Sequence, residues 1–253
     1  MTQLVLGFDV GGSSVKAGAV DVGAGRLVGE LISAPTPPAS DPNHLMVVLA
    51  GLAARLPGGA SRVGVAFPSV VKRGRVRTAA NINSAWIGTD GAALVARSLE
   101  RRAVFLNDAD AAGIAEMRWG AGRGIKGPVV MLTFGTGIGT ALFIEGRLFP
   151  NTELGHIELH GSDAEKWASA HVRTLLSLDW RAWSERVNDY LGRLQSYLWP
   201  DVFIIGGGIS EHFSDFAPLL HSEAEIRPAH FFGEAGVIGA ALAAAESRDE
   251  GAE

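Results

Sequence analysis

Residues 4–20, LVLGFDVGGSSVKAGAV, decide how the rest of the chain is read. Two apolar runs, 4–10 and 15–20, flank a Gly-Gly-Ser-Ser turn, the pattern of a strand, a tight turn and a returning strand. The run RLVGELIS (26–33) extends the meander as a further strand. The same pattern returns in GPVVMLTFGTGIGTALFIEGRL (127–148). An offset of 124 sets Gly135 on Gly11, Ala141 on Ala17, Ile144 on Val20 and Thr133 on Asp9. A repeated strand, glycine turn and strand implies two related α/β halves closing on a shared cleft. The competing reading is that any two glycine-turn hairpins align this well.

Around these two hairpins the chain alternates. TPPASDP (36–42) is a loop, HLMVVLAGLAARL (44–56) has helical apolar spacing, and RVGVAFP (62–68) returns to strand. The stretch 72–91 is irregular; a helix at 91–101, a strand at 103–106 and a helix at 108–119 follow. Beyond the second hairpin come helices at about 163–176 and 180–198, a buried strand in DVFIIGGG (201–208) and an Ala-rich helix from Ala235. Alternation of this kind marks an α/β fold.

Composition narrows the function. With 253 residues and 47% hydrophobic content the chain can bury a large core. A net charge of -5, from 22 Lys+Arg against 27 Asp+Glu, offers no overall attraction to nucleic acid or an anionic membrane, so an anionic ligand needs a local site. No cysteine is present, which excludes disulfides, thiol catalysis and Cys-ligated zinc. No basic leader precedes an apolar segment, and no apolar run approaches the ~18 residues that span a bilayer, so a cytoplasmic protein is expected.

Three stretches carry chemistry. DVGGSSVK (9–16) combines an acid at a strand end with glycines and hydroxyls, and GTGIGT (135–140) repeats the glycines without the acid. Backbone N–H groups reach phosphate oxygens where no Cβ intervenes, and a carboxylate holds Mg²⁺ through water. Each alone is a hairpin turn; together they form a phosphate clamp. A dinucleotide fingerprint needs a helix after its glycines, whereas TALFIEG (140–146) reads as strand. NTELGHIELHGSDAEKWAS (151–169) holds Glu153, His156 and Glu165, groups suited to gripping sugar hydroxyls. Zinc is the competing use, without support from cysteine or an HExxH pattern. The remaining candidates, His160, His171, His212, His221 and His230, read as ordinary surface or packed histidines. FLNDADAAG (105–113) sets Asn107, Asp108 and Asp110 after an apolar run. KRGRVR (72–77) reads as a solvated hairpin, and Trp167, Trp180, Trp183 and Trp199 as core or dimer packing.

In order along the chain, DVGGSSVKAGAVD, NDADAAG, TFGTGIGTALF, ELGH and IIGGGIS resemble the motifs of ROK-family sugar kinases, members of the actin-like, ribonuclease-H-like ATPase superfamily. RTAANINSAWIGTD, NDADAAGIAEMRWGAG and PNTELGH are similar to the polyphosphate-using glucokinase and glucomannokinase subgroup. The resemblance implies two lobes, residues 1–106 with 235–253 and residues 107–234, closing over a sugar and associating as a homodimer. It implies Asp108 as general base, with Asn107, Glu153 and His156 on the sugar and Asn81 and Glu165 as further contacts. Asp9, Gly11, Gly12, Ser13, Ser14 and Lys16 would form one phosphate loop, and Gly135, Thr136 and Gly137 the other. Gly206, Gly207 and Gly208 would line the nucleoside side, and Asp9 would position Mg²⁺ through water. The family's structural zinc is not expected, which frees His156 from metal duty. Asp110, in the first helical turn, is then structural, placed where the helix dipole favours a carboxylate.

The implied activity is phosphorylation of glucose, with mannose as a further acceptor, from polyphosphate, ATP or both. Lys16, Arg118, Arg123, Lys126 and the 72–77 run are candidates for a polyanion path. A strictly ATP-dependent hexose kinase and a non-catalytic sugar sensor are the alternatives.

Overall fold

The computed structural model describes residues 3–80 and 82–247. Asn81, a candidate sugar contact, lies outside the described residues. The chain divides into two compact units, one formed by residues up to Ala115 with those from Glu234 onward, the other by Glu116–Gly233.

The first unit carries β1 (Leu4–Val10), β2 (Ser14–Asp21), β3 (Arg26–Leu27), β4 (Ile32–Pro35), α1 (Pro42–Ala53), β5 (Arg62–Phe67), β6 (Val71–Lys72), β7 (Arg75–Val76), α2 (Gly91–Leu99) and β8 (Arg102–Asn107). The chain leaves it within α3 (Asp108–Trp119). Its sheet runs β3-β2-β1-β5-β8, with β4 also on β2. The expected strand over 26–33 is two short strands, because the chain turns at Gly29, whose φ is +87°. Leu27 pairs with Val20, and Ile32 with Ala17. The stretch 72–91 is more ordered than expected: β6 and β7 form a hairpin, and residues 84–86 a single 3-10 turn that buries Trp86. Lys72, Arg73, Arg75 and Arg77 are exposed on it, as a solvated hairpin requires.

The second unit carries β9 (Val129–Phe134), β10 (Ile138–Ile144), β11 (Arg147–Phe149), β12 (Glu158–Leu159), β13 (Ser162–Asp163), α4 (Glu165–Ala168), α5 (Ala170–Leu175), α6 (Trp180–Leu198), β14 (Val202–Gly206), α7 (Phe213–Phe216) and β15 (Glu225–Pro228). Its sheet runs β11-β10-β9-β14-β15. The helix expected over 163–176 is split, because Ser169 is extended and its hydroxyl caps α5 at the Val172 N–H. Finally α8 (Ala235–Glu246) belongs to the first unit.

With β4, which pairs only with β2, left aside, the two main sheets share one strand order: third, second, first, fourth, fifth. In each, the second strand is antiparallel to the first and the fourth parallel to it. The repeat therefore reaches beyond the hairpins. Its register corrects the alignment drawn from sequence. Val10 pairs with Val15 across four turn residues, whereas Phe134 pairs with Ile138 across three. The offset is 124 before the turn and 123 after it, so Ala17 corresponds to Thr140 and Val20 to Phe143. Both members of these pairs are buried, while Ile144, matched to Val20 by the constant offset, is exposed. Side chains alternate faces along a strand, so a one-residue slip is visible in burial.

Helix starts follow local signals. Asp41 accepts the N–H groups of Asn43 and His44 ahead of Pro42, and Asp90 and Asp179 cap α2 and α6 in the same way. Those bonds hold the Asp41 carboxyl below its ordinary range. Within the first unit Phe67, Trp86 and Phe105 pack with ring centroids 4.6, 4.7 and 5.8 Å apart. In the second, Trp183 is fully buried against Phe134 and Phe216, whereas Trp199 is exposed at the end of α6.

Candidate active site

In the first unit, Asp9 sits near the carboxyl end of β1, paired across the sheet with Lys16. The following loop is braced: the Gly11 N–H donates to the Ser14 carbonyl at 3.0 Å, and Thr36 donates its hydroxyl to the Gly11 carbonyl at 2.6 Å and its N–H to the Ser13 carbonyl at 3.1 Å. A Cβ on Gly12 would meet nothing within 4 Å, and the same holds for Gly135 and Gly208 in the second unit. Internal packing does not explain glycine at these three positions. Gly236, near the start of α8, differs, since a Cβ there would lie 2.7 Å from the Asp9 Cγ. The bare glycine leaves a cradle beside this carboxylate. Burial raises the Asp9 pKa above 3.8, opposed by Lys16.

That shift has a consequence for stability. A carboxyl whose folded pKa is raised penalises the fold once ionised, so the penalty is present above the folded pKa and vanishes below 3.8. Asp9→Asn removes it. In metal-free buffer this variant is expected to melt higher than the parent at pH 7, the difference closing as pH falls toward 3.8; calorimetric Tm values across pH measure it, and a lower Tm at pH 7 contradicts it.

At the carboxyl end of β8, Asn107 is the residue that starts α3: its Oδ1 accepts the Asp110 N–H at 2.9 Å, and its Nδ2 donates to the Ser69 carbonyl at 3.2 Å. Asp108 follows at the first helical position, half-buried, accepting the Ala109 N–H at 2.8 Å. Asp110 is buried in the same turn. The Asn107 side chain is thus occupied in holding the turn, with Asp108 next to it at the strand end.

In the second unit, reciprocal bonds lock the segment before Glu153 to β10. The Thr140 hydroxyl donates to the Thr152 carbonyl at 2.6 Å, the Thr152 hydroxyl to the Thr140 carbonyl at 2.9 Å, and the Leu154 N–H to Thr140 Oγ1 at 3.2 Å. A 3-10 turn at Leu154–His156 then brings His156 Nε2 to 3.4 Å from Glu153 Oε2. On its other side His156 Nδ1 lies 3.8 Å from both Asp163 Oδ2 and Glu165 Oε1. Glu165 accepts the Ile138 N–H at 3.3 Å and occupies the space where a Gly137 side chain would stand. The second glycine loop and the sugar-gripping candidates therefore form one assembly. Burial raises the Glu153 pKa, with His156 opposing and Glu165 reinforcing it.

Asp163, which no sequence pattern singled out, joins this group through the β12–β13 hairpin, and Lys166 at 3.1 Å holds its carboxyl below the ordinary range. His156, Asp163 and Glu165 offer ligand atoms within 4.8 Å of one another, a set able to hold a divalent cation. The resemblance implied that His156 is free of metal duty; the fold sets it in a donor set that permits a cation. The fully buried Tyr190 hydroxyl is pushed upward in pKa by burial and by Glu165, so it stays a neutral wall behind the group. Among the other histidines, His160 and His212 do have carboxylate neighbours, Asp189 at 3.0 Å and Asp215 at 3.4 Å, on exposed surface.

Gly206, the last residue of β14, pairs with Thr133 beside the second glycine loop. Gly207, at φ +81°, lies so close to Phe134 that a Cβ would sit 2.4 Å from its carbonyl oxygen, and Ser210 ties the turn to the Gly207 carbonyl at 2.7 Å. The carboxyl ends of β9 and β14 thus carry two adjacent glycine loops, where ligands of parallel α/β sheets bind.

A family model described as "ROK family" matches residues 5–170. The chain is 42% identical over 238 residues, 94% of its length and 89% of the relative's, to a polyphosphate glucokinase of Mycobacterium tuberculosis. Its fold matches the crystal structure of an inorganic polyphosphate/ATP-glucomannokinase from Arthrobacter sp. strain KM with a TM-score of 0.92 and 41% identity, covering 96% of this chain and 98% of that one. A ROK-family glucokinase from Streptomyces griseus, solved with glucose and AMPPNP, shares the fold at a TM-score of 0.82 and 24% identity, covering 96% and 100%.

Proposed function

The chain belongs to the ROK family, with the actin-like ATPase fold, and from that premise we propose that it phosphorylates the 6-hydroxyl of glucose from inorganic polyphosphate or ATP. The observation that carries this reading is the likeness to polyphosphate glucokinases, which runs through both units. Mannose is the second acceptor proposed, since the Arthrobacter relative is by name a glucomannokinase.

Phosphoryl transfer needs placement and charge neutralisation more than covalent help. Asp108, at the head of α3, is assigned as the base that takes the hydroxyl proton during attack on the terminal phosphoryl group. Glu153 and His156 bind sugar hydroxyls, with Glu165 fixing the assembly to the second glycine loop. Asn107 serves first as helix cap and offers its remaining amide N–H to the sugar. Backbone N–H groups at 11–14 and 135–137 receive phosphoryl oxygens, with Lys16 adding positive charge.

Mg²⁺ is the proposed cofactor. The half-buried Asp9 carboxylate beside bare Gly236 fits it, because a cation there favours the ionised form that burial opposes. When bound, it supplies further charge neutralisation at the phosphoryl oxygens. Homodimerisation is proposed on the exposed apolar side chains Leu175, Leu176, Tyr197 and Trp199 of the second unit. A cytoplasmic location belongs to the same proposal; no described helix is long and apolar enough to cross a membrane.

Glucose 6-phosphate formation measured side by side with ATP and with long-chain polyphosphate tests the reading, and both donors are expected to support turnover. Full activity with ATP and none with polyphosphate would make the protein an ATP-dependent glucokinase. Glucose affinity without transfer from either donor would make it a sensor.

A further inference from the structure

The β6–β7 hairpin of the first unit breaks two local rules at once. Its loop is Arg73–Gly74, with φ +52° and +74°, a two-residue turn that needs left-handed backbone at both positions. Asparagine, aspartate or glycine suits the first of these positions, and a long charged side chain is strained there. Lys72 stands directly opposite Arg75 across the ladder, and like charges so placed repel. With Arg77 these make four exposed cations within residues 72–77. Arg75 is matched: its guanidinium lies 3.3 Å from Asp90 Oδ2 and donates to the Gly88 carbonyl at 3.2 Å. Among the described residues no carboxylate pairs with Lys72, Arg73 or Arg77. A solvated turn needs polar residues and not a run of cations, so folding alone does not account for this choice.

The hairpin is held in place despite that repulsion. The Val76 N–H donates to the Thr89 carbonyl at 3.0 Å, the Gly88 N–H to the Val76 carbonyl at 2.9 Å and the Gly91 N–H to the Gly74 carbonyl at 2.8 Å. Val71 and Val76 are buried, so the hairpin offers charge outward and no apolar face. Its root is joined to the strand end that carries Asp108. Phe67 of β5 pairs with Asn107 of β8, the Asn107 amide donates to the Ser69 carbonyl, and the Ser69 hydroxyl donates to the Thr78 carbonyl across the root. From Ser69 to Arg73 the chain advances at most about 13 Å. The cations are therefore carried at a short, fixed remove from the end of β8.

We propose that the Lys72–Arg77 hairpin is an outlying binding site for inorganic polyphosphate, engaging phosphates beyond those at the reacting end and favouring long chains over short ones. The proposal rests on the donor reading above. A linear polyanion relieves the repulsion between Lys72 and Arg75 and supplies Arg73 and Arg77 with partners. Three phosphates are short against the span from the strand end to the turn, so tripolyphosphate and ATP do not reach it. A nucleic acid fits less well: residues 71–77 include no aromatic side chain on which a base could stack, and the net charge of -5 opposes a nucleic acid laid over the wider surface.

The test is calorimetric binding, without glucose, of long-chain polyphosphate, tripolyphosphate and a single-stranded RNA of matched charge to the parent protein and to a variant carrying Lys72→Thr, Arg73→Asn and Arg77→Gln. Asparagine tolerates left-handed backbone and threonine suits a strand, so the variant is expected to melt no lower than the parent. The expected result is an approximately tenfold weaker Kd for long-chain polyphosphate, equivalent to about 1.4 kcal/mol, with tripolyphosphate unchanged and the difference fading in about 1 M salt, where surface charges are screened. Arg73→Asn alone, the milder change, is expected to weaken the long chain about twofold, in line with the modest worth of one exposed charge pair. Equal Kd values for the long chain in parent and variants, equal losses for both polyphosphates, or RNA bound as tightly as long-chain polyphosphate would overturn it. Binding does not require turnover, so long-chain polyphosphate held through the hairpin without glucose 6-phosphate formation would count against the proposed function alone.

Discussion

Replacing Asp108 by asparagine is expected to lower kcat with glucose by a factor of about 10²–10⁴, the usual contribution of a general base, while glucose binding and folding are retained. Asparagine has the same shape and still accepts the Ala109 N–H through its Oδ1, so the start of α3 survives. The lost charge in the first helical turn costs only about 0.3–1 kcal/mol of helix-dipole stabilisation. What disappears is the ability to take a proton. Steady-state kinetics with either donor, beside glucose binding by fluorescence or calorimetry, separate the two effects. Turnover near that of the parent protein would remove Asp108 from the mechanism, and an inactive Asp110→Asn with an active Asp108→Asn would reverse the assignment of the two acids.

The second large effect is on stability. Gly64→Ala in β5 is expected to cost about 3 kcal/mol or more, at or beyond the upper end of ordinary overpacking. An added Cβ would stand 1.8 Å from the Ala240 carbonyl oxygen and 2.3 Å from its carbon, and in the neighbouring strand a Cβ on Gly7 would stand 2.0 Å from the Val237 carbonyl oxygen. These are backbone atoms of α8, which a change of rotamer cannot move. The alanine-rich face of α8 lies directly on the sheet, and on its other side Gly239 approaches the Ala111 carbonyl so closely that a Cβ would fall 1.6 Å from it. At about 2–4 °C per kcal/mol for a chain of this size, the melting temperature should fall by roughly 6–12 °C. A Tm within 2 °C of the parent would show that α8 can lift away freely.

The same close packing explains why α8 was legible. Its glycines and alanines, from Ala235 on, are broken only by Val237, Ile238 and Leu242 before Glu246, a small-residue pattern that suits a backbone pressed against a sheet. Other elements were legible for equally local reasons. Asp41 before Pro42 caps α1, and Asn107 closes β8 and starts α3 at the boundary read from NDADAAG. Where local signals competed, the reading slipped. Ser169 broke one expected helix into two because its hydroxyl caps the second, and a turn shorter by one residue shifted the second hairpin against the first.

By itself, then, the sequence determined the order of the principal strands and helices, though not the β6–β7 and β12–β13 hairpins, α7 or β15, together with the repeated glycine hairpins and the candidate residues Asp9, Asp108, Glu153, His156 and Glu165. Turn geometry, capping and strand alternation act between residues a few positions apart, so composition and spacing report them. Tertiary structure alone decided which distant groups share a neighbourhood. Asp163 reaches His156 because the β12–β13 hairpin folds back, Glu165 fills the space left by Gly137, and Glu116 holds backbone more than a hundred residues away at His230 and Phe231. Such contacts leave no periodic mark in the chain, because what selects them is the need to satisfy each buried charge and fill each space in the packed fold.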